Sequence, residues 1–179
     1  MATVYLALGS NLGNREANLR SAVRAFTRLA KVLAASSLYE TNAVVPDGGK
    51  PQPSYLNAVV AIETGLEVLP LRRFLAGIEH EIGRRESTAR WAARPIDIDV
   101  LLYDDAVTDS REITVPHPRM AERPFVLVPL AEIAAEMVHP VLGQTVAALA
   151  KALGSGGVTK VSERGWDGVA GASWGRVRI

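Results

Sequence analysis

The sequence predicts an α+β fold, a single antiparallel sheet with amphipathic helices against it. Three observations predict this. Apolar residues alternate with a period of two, shift to helical spacing, and shift back along the first hundred residues. The elements marked this way run in the order β-α-β-β-α-β, the split unit of a ferredoxin-like sheet. At 179 residues, with 48% hydrophobic and 22% charged side chains, the chain can bury a core and is too apolar for disorder.

Residues 3–8, "TVYLAL", read as a buried strand, and "GSNLGN" supplies turn chemistry with Asn14 placed to cap a helix. Leu19, Val23, Phe26, Ala30 and Leu33 then recur at helical spacing. "SSLYET" at 36–41 suggests the second strand. The Pro/Gly-rich "NAVVPDGGKPQP" is a loop of functional length, and "YLNAVVAIET" at 55–64 gives the third strand. Leu71, Phe74, Leu75, Ile78 and Ile82 mark a second helix that Gly83 can end. An arginine-rich loop leads into the strand "IDIDVLLY" at 96–103. Beyond it the sequence predicts an extended "EITVPHPRM", a helix over 123–137, another near 144–153, and a further strand. Residues 1–153 read as one catalytic domain. Residues 154–179 read as a glycine-rich tail packed on it or extending from it, because 153–179 holds seven of the 15 glycines. Trp166 and Trp174 are candidates to order that tail.

Composition narrows the function. A net charge of +1 provides no global field for nucleic acid or membrane, so an anion site must be local. The absence of cysteine excludes disulfides and thiolate chemistry. No stretch is apolar enough to span a membrane, and the chain opens without a basic leader, so a cytoplasmic protein is expected.

The chemistry concentrates in "RWAARPIDIDV". Residues two apart in a strand share a face, about 6.6 Å apart. Asp97 and Asp99 therefore point one way, while Ile96, Ile98, Val100 and Leu102 are expected to enter the core. Two carboxylates held together repel unless a cation or arginines neutralise them, and oxygen ligands suit a hard ion such as Mg²⁺. D-x-D alone also fits a solvated sheet face. Arg84, Arg90 and Arg94 in the preceding loop favour the first reading, because guanidinium forks match phosphate oxygens. Neither common glycine-rich phosphate cradle is present.

Other candidates lie elsewhere. Glu79 borders the apolar face of the second helix, where a glutamate can reach a cleft or stay solvated. His117 is held between two prolines in "VPHP". Arg123 precedes an apolar helix. His80 and His139 read as surface residues. Tyr55 and Asn57 share a strand face, an aromatic and an amide that suit a planar heterocycle or simply an edge strand.

Several segments together resemble the 6-hydroxymethyl-7,8-dihydropterin pyrophosphokinases of folate biosynthesis. They are "YLALGSNLGNREANL", "SSLYET", "PSYLNAVVAIET", "IEHEIGR…RWAARPIDIDVLLY" and "VPHPRMAERPFVLVPLAEIAAEMVHP", in the family's order across roughly residues 3–142. The resemblance implies a ferredoxin-like fold and pyrophosphate transfer from ATP to the pterin's hydroxymethyl oxygen, releasing AMP. It makes Arg84, Arg94, Asp97 and Asp99 the catalytic group, with Asp97 and Asp99 holding two Mg²⁺ ions. The nucleotide side would be Glu79, Arg84, Arg90, Trp91, Arg94, Val100, Thr114, His117 and Arg123. The pterin side would be Thr41, Tyr55, Asn57, Trp91, Asp97 and Phe125. It further implies a monomer that acts on these small molecules and binds neither nucleic acid nor membrane. Departures from the family pattern are Glu86, Ala92-Ala93, Glu112 (basic in some members) and Asn42-Ala43. They keep open an alternative, a diverged paralogue that acts on a related pterin alcohol or binds pterin or nucleotide without catalysis.

Overall fold

A computed structural model describes residues 1–43, 50–84 and 92–168. The chain runs β1 (Ala2–Ser10), α1 (Arg15–Phe26), β2 (Ala30–Ala35), β3 (Leu38–Thr41), β4 (Tyr55–Thr64), α2 (Val68–Glu81) and β5 (Asp97–Tyr103). A two-stranded β6 (Thr108–Asp109) and β7 (Thr114–Val115) follows, then α3 (Pro124–Ala134), α4 (Val146–Leu153) and β8 (Val158–Ser162).

The main sheet has the order β5-β1-β4-β3-β8, and β2 also pairs with β4. All of these pairings are antiparallel. β2 and β3 lie end to end along β4, as one strand interrupted at Ser36 and Ser37. The Ser36 hydroxyl accepts from the Val59 amide at 2.9 Å across the break. The order β5-β1-β4-β2/β3 is the ferredoxin-like arrangement, with α1 and α2 on one face. Val4, Leu6, Leu8, Ile98 and Val100 meet Leu19, Phe26, Leu75 and Ile78 there. On the opposite face Tyr5, Val59, Ala61 and Leu101 meet Val126, Leu130, Ile133 and Leu149 of α3 and α4.

Local chemistry explains the ends. The Asn14 side-chain Oδ1 accepts from Ala17 N–H at 3.1 Å and caps α1. Gly83, at φ 105°, stands just past α2 in a conformation that side chains other than glycine disfavour.

Four expectations are corrected. Helix α1 stops at Phe26, and Ala30 and Leu33 belong to β2, where pairing with the central β4 outweighs helical spacing. Leu102 packs with the α3–α4 face. The register slips so that Tyr5 faces Leu102 while Leu6 faces Val100, a bulge that turns the strand. The helix expected over 123–137 spans Pro124–Ala134. His139 is buried, its Nδ1 accepting from the amides of Val141 at 3.3 Å and Leu142 at 3.2 Å. In the C-terminal segment, β8 pairs with β3, and buried Trp166 donates its indole N–H to Ser36 O at 2.8 Å. Trp174 lies outside the described residues. No helix among the described residues is long and apolar enough to cross a membrane.

Candidate active site

The sheet opens a cleft of about 690 Å³ where the C-terminal end of β1, the start of β4 and the start of β5 meet the N-terminus of α3. Gly9, Tyr55 and Asn57 line its floor, with Thr41 beside them and Phe125 on the α3 wall. Asn57 Nδ2 donates to Thr41 Oγ1 at 2.9 Å, which fixes the amide's orientation. A Cβ on Gly9 would sit 3.5 Å from the Tyr55 ring and 3.6 Å from Asn57 Oδ1, so glycine keeps this floor open.

Strand alternation delivers both aspartates to the cleft, as the sequence predicts. Ile98 is buried between them, while the Asp97 and Asp99 side chains remain 31% and 42% exposed toward the opening. Asp97 Oδ1 accepts from Arg84 Nη1 at 2.8 Å and from Arg94 Nη1 at 3.2 Å. Asp99 Oδ2 stands 3.8 Å from His117 Nε2 and 3.9 Å from Arg123 Nη1. Protein encloses the Asp99 charge closely enough that burial, then Asp97, raises its carboxyl above the ordinary range. Burial likewise lowers His117, so the ring is neutral near pH 7. Its Nδ1 accepts from Arg119 N–H at 3.1 Å, which leaves the proton on Nε2, facing Asp99. Arg123 lies 5.7 Å over the Phe125 ring, so one cation and one aromatic face form a joint wall.

A second, shallower cleft of about 270 Å³ adjoins the first and shares Asp99 and His117 with it. Val100, Thr114, Arg72 and Glu112 line it. Val100 and Thr114 therefore stand together, separate from the residues of the first cleft.

Glu79 lines neither cleft. It is buried behind Arg84, accepts from Ile98 N–H at 2.8 Å, and pairs with the Arg84 guanidinium. Burial pushes its carboxyl upward, and Arg84 opposes that shift. Arg90 and Trp91 lie outside the described residues. Sequence reasoning missed Asn11, whose Oδ1 accepts from Arg94 N–H at 2.8 Å and whose own N–H donates to Arg94 O at 3.2 Å. It also missed Asn18, which donates to Pro95 O at 3.0 Å. Both pin the loop entering β5; the turn-forming "GSNLGN" was the available signal for Asn11, and Asn18 lies inside α1 with none. Arg72 was missed as well, although it stands seven residues before Glu79 on the same helix face.

Two carboxylates opposed by four cationic or donor groups fit a polyanion bridged by hard ions. Among the described residues no group of three or more His, Asp or Glu is assembled to hold a metal. A hard ion here would take its other ligands from phosphate and water, which is how Mg²⁺ binds beside nucleotides.

A family model described as 7,8-dihydro-6-hydroxymethylpterin-pyrophosphokinase (HPPK) matches residues 5–135. A 2-amino-4-hydroxy-6-hydroxymethyldihydropteridine pyrophosphokinase of Haemophilus influenzae is 42% identical over 142 residues, 78% of this chain and 86% of that protein. The Bacillus subtilis protein of the same name is 44% identical over 131 residues, 72% of this chain and 76% of that protein. The solved structure of Plasmodium falciparum HPPK-DHPS aligns with a TM-score of 0.65 at 16% identity, a likeness of fold. It covers 84% of this chain and 44% of that one.

Proposed function

The chain belongs to the 7,8-dihydro-6-hydroxymethylpterin-pyrophosphokinase family, and we propose that its two adjoining clefts hold that family's two substrates across a seam at Asp99 and His117. The enzyme is a transferase of folate biosynthesis. It moves pyrophosphate from ATP to the hydroxymethyl group of 6-hydroxymethyl-7,8-dihydropterin and releases AMP. The pterin oxygen attacks the β-phosphorus, and the bond from that phosphorus to the α–β bridging oxygen breaks.

In our reading the pterin enters the first cleft, between the Phe125 ring and Tyr55, with Asn57 and Thr41 reading its hydrogen-bonding edge. The triphosphate crosses the seam, where Arg84, Arg94 and Arg123 neutralise it and His117 donates to it from Nε2. The nucleoside end occupies the second cleft beside Val100 and Thr114. Asp97 and Asp99 would hold two Mg²⁺ ions, which would offset phosphate charge and polarise the phosphoryl oxygens. The protein's own residues supply alignment and charge compensation, and phosphoryl-type transfer needs these more than a covalent nucleophile. Asp97 exchanges its bonds with Arg84 and Arg94 when the substrates arrive, freeing both guanidinium groups for phosphate. Glu79 acts behind Arg84 as a positioning residue. In this reading the chain acts as a monomer, and the need for ATP fits action in the cytoplasm.

The observation that carries this reading is the pair Asp97 and Asp99, both turned into a cleft that also gathers Arg84, Arg94, His117 and Arg123. The test is AMP release from ATP by the purified protein, with Mg²⁺ and the pterin each present or omitted. AMP is expected only when both are present. AMP formed without pterin, or none with it, contradicts the reading.

A further inference from the structure

We propose that Arg72 is a nucleotide-binding residue of this chain, donating from the wall of the second cleft to the nucleoside part of ATP. The inference rests on the reading that the nucleoside end of ATP occupies that cleft.

Arg72 projects from α2 and lines the cleft together with Val100 and Thr114. Its Nη1 is buried on the side facing Glu79 and makes no hydrogen bond among the described residues, while 35% of the side chain stays exposed where it lines the cleft. It stands 3.7 Å from Glu79 Oε2, outside hydrogen-bonding distance. Glu79 leaves the guanidinium loosely held, so its donors on the exposed side can turn to a ligand acceptor in the cleft. The same wall carries Glu112, and exposed Arg73 takes that carboxylate at 3.3 Å. Glu112 therefore neither satisfies Arg72 nor supplies a donor itself. Arginine only donates, whereas purine ring nitrogens and ribose oxygens accept, so the chemistry is complementary. In this chain the donor on that side of the nucleotide comes from the helix.

Steady-state kinetics on the whole 179-residue chain tests this. In Arg72→Ala the KM for ATP should rise on the order of tenfold, the scale of one charge-assisted hydrogen bond. The KM for the pterin, kcat at saturating ATP, and inhibition by inorganic tripolyphosphate, which lacks the nucleoside, should not move. Arg72→Met keeps the packing of the stem and serves if the alanine variant does not fold. An unchanged ATP KM overturns the proposal. So does loss of kcat alone, which would mean that Arg72 acts only through Glu79 and Arg84. A parallel loss of tripolyphosphate affinity would place Arg72 on the phosphates and also overturns it. A wild-type enzyme inactive toward ATP and pterin overturns the functional reading together with this inference. An active enzyme whose ATP KM ignores Arg72 overturns the inference alone.

Discussion

Glu79 on α2 accepts the backbone amide of Ile98 on β5 at 2.8 Å, and the same carboxylate oxygen pairs with Arg84. One buried acid thus fixes the strand between Asp97 and Asp99 and also the guanidinium that bonds Asp97. Glu79→Gln keeps the shape and removes the charge. It should lower stability by about 1–3 kcal/mol through the weakened buried network. It should also lower kcat, by up to roughly a hundredfold, the cost of a displacement of about 1 Å in a reaction that depends on alignment. Thermal melts and kinetics on one preparation check both. A kcat at the wild-type level would mean that Arg84 does not need this anchor.

Asp97 lies off the core, so its removal should separate activity from folding. Asp97→Asn is expected to reduce turnover on the order of a thousandfold, the scale of losing a principal electrostatic group in a transition state. The melting temperature should stay within a few degrees, as for substitutions away from buried features. Retention of more than a tenth of the activity would remove Asp97 from the catalytic group.

Gly156 and Gly157 line the first cleft just before β8, where Val158 pairs with Thr41. A Cβ at Gly156 meets nothing within 4 Å, so the backbone there accepts a side chain that projects into open space. Gly156→Val should therefore raise the KM for the pterin roughly tenfold, the range in which added methylenes discriminate in a pocket. The KM for ATP should hold steady. Equal changes for both substrates would place this turn outside the pterin subsite.

Glu132 ties three segments together. It accepts from Ser37 N–H and Ser37 Oγ at 2.8 Å each, and from Tyr39 OH and Arg164 Nε at 3.0 Å each. Burial alone would raise its carboxyl, but these donors outweigh burial and hold it below its ordinary value of 4.5. A carboxyl depressed in the folded state adds stability that is complete above its unfolded pKa and lost as pH falls through the folded value. Melting temperature should therefore drop as pH falls below about 4.5, and Glu132→Gln should flatten that part of the profile. An identical acid profile in the variant would show that Glu132 does not drive the loss.

Much of the site was legible because it rests on short-range rules. Asp97 and Asp99 turned into the cleft because strand alternation leaves them no other face once Ile98 and Val100 are buried. Asn14 capped α1 through chemistry local to four residues. What was illegible depends on partners distant in sequence. "AKVLAA" carries helical and strand propensities alike, and only its pairing with β4 decides between them. Leu102 changed faces because of a bulge set by β1. A glutamate on a helix reads as solvated until Arg84 and Ile98 are seen to enclose it. Arg72 shows no sequence signal of its own beyond sharing a helix face with Glu79.

The most direct measurement is a crystal structure with Mg²⁺, the dihydropterin and a nonhydrolysable ATP analogue. The account predicts the pterin against Phe125 and Asn57, the triphosphate crossing the seam at Asp99 and His117, and both Asp97 and Asp99 ligating metal. A nucleotide bound elsewhere, or Asp97 still paired only with Arg84 and Arg94, would contradict it.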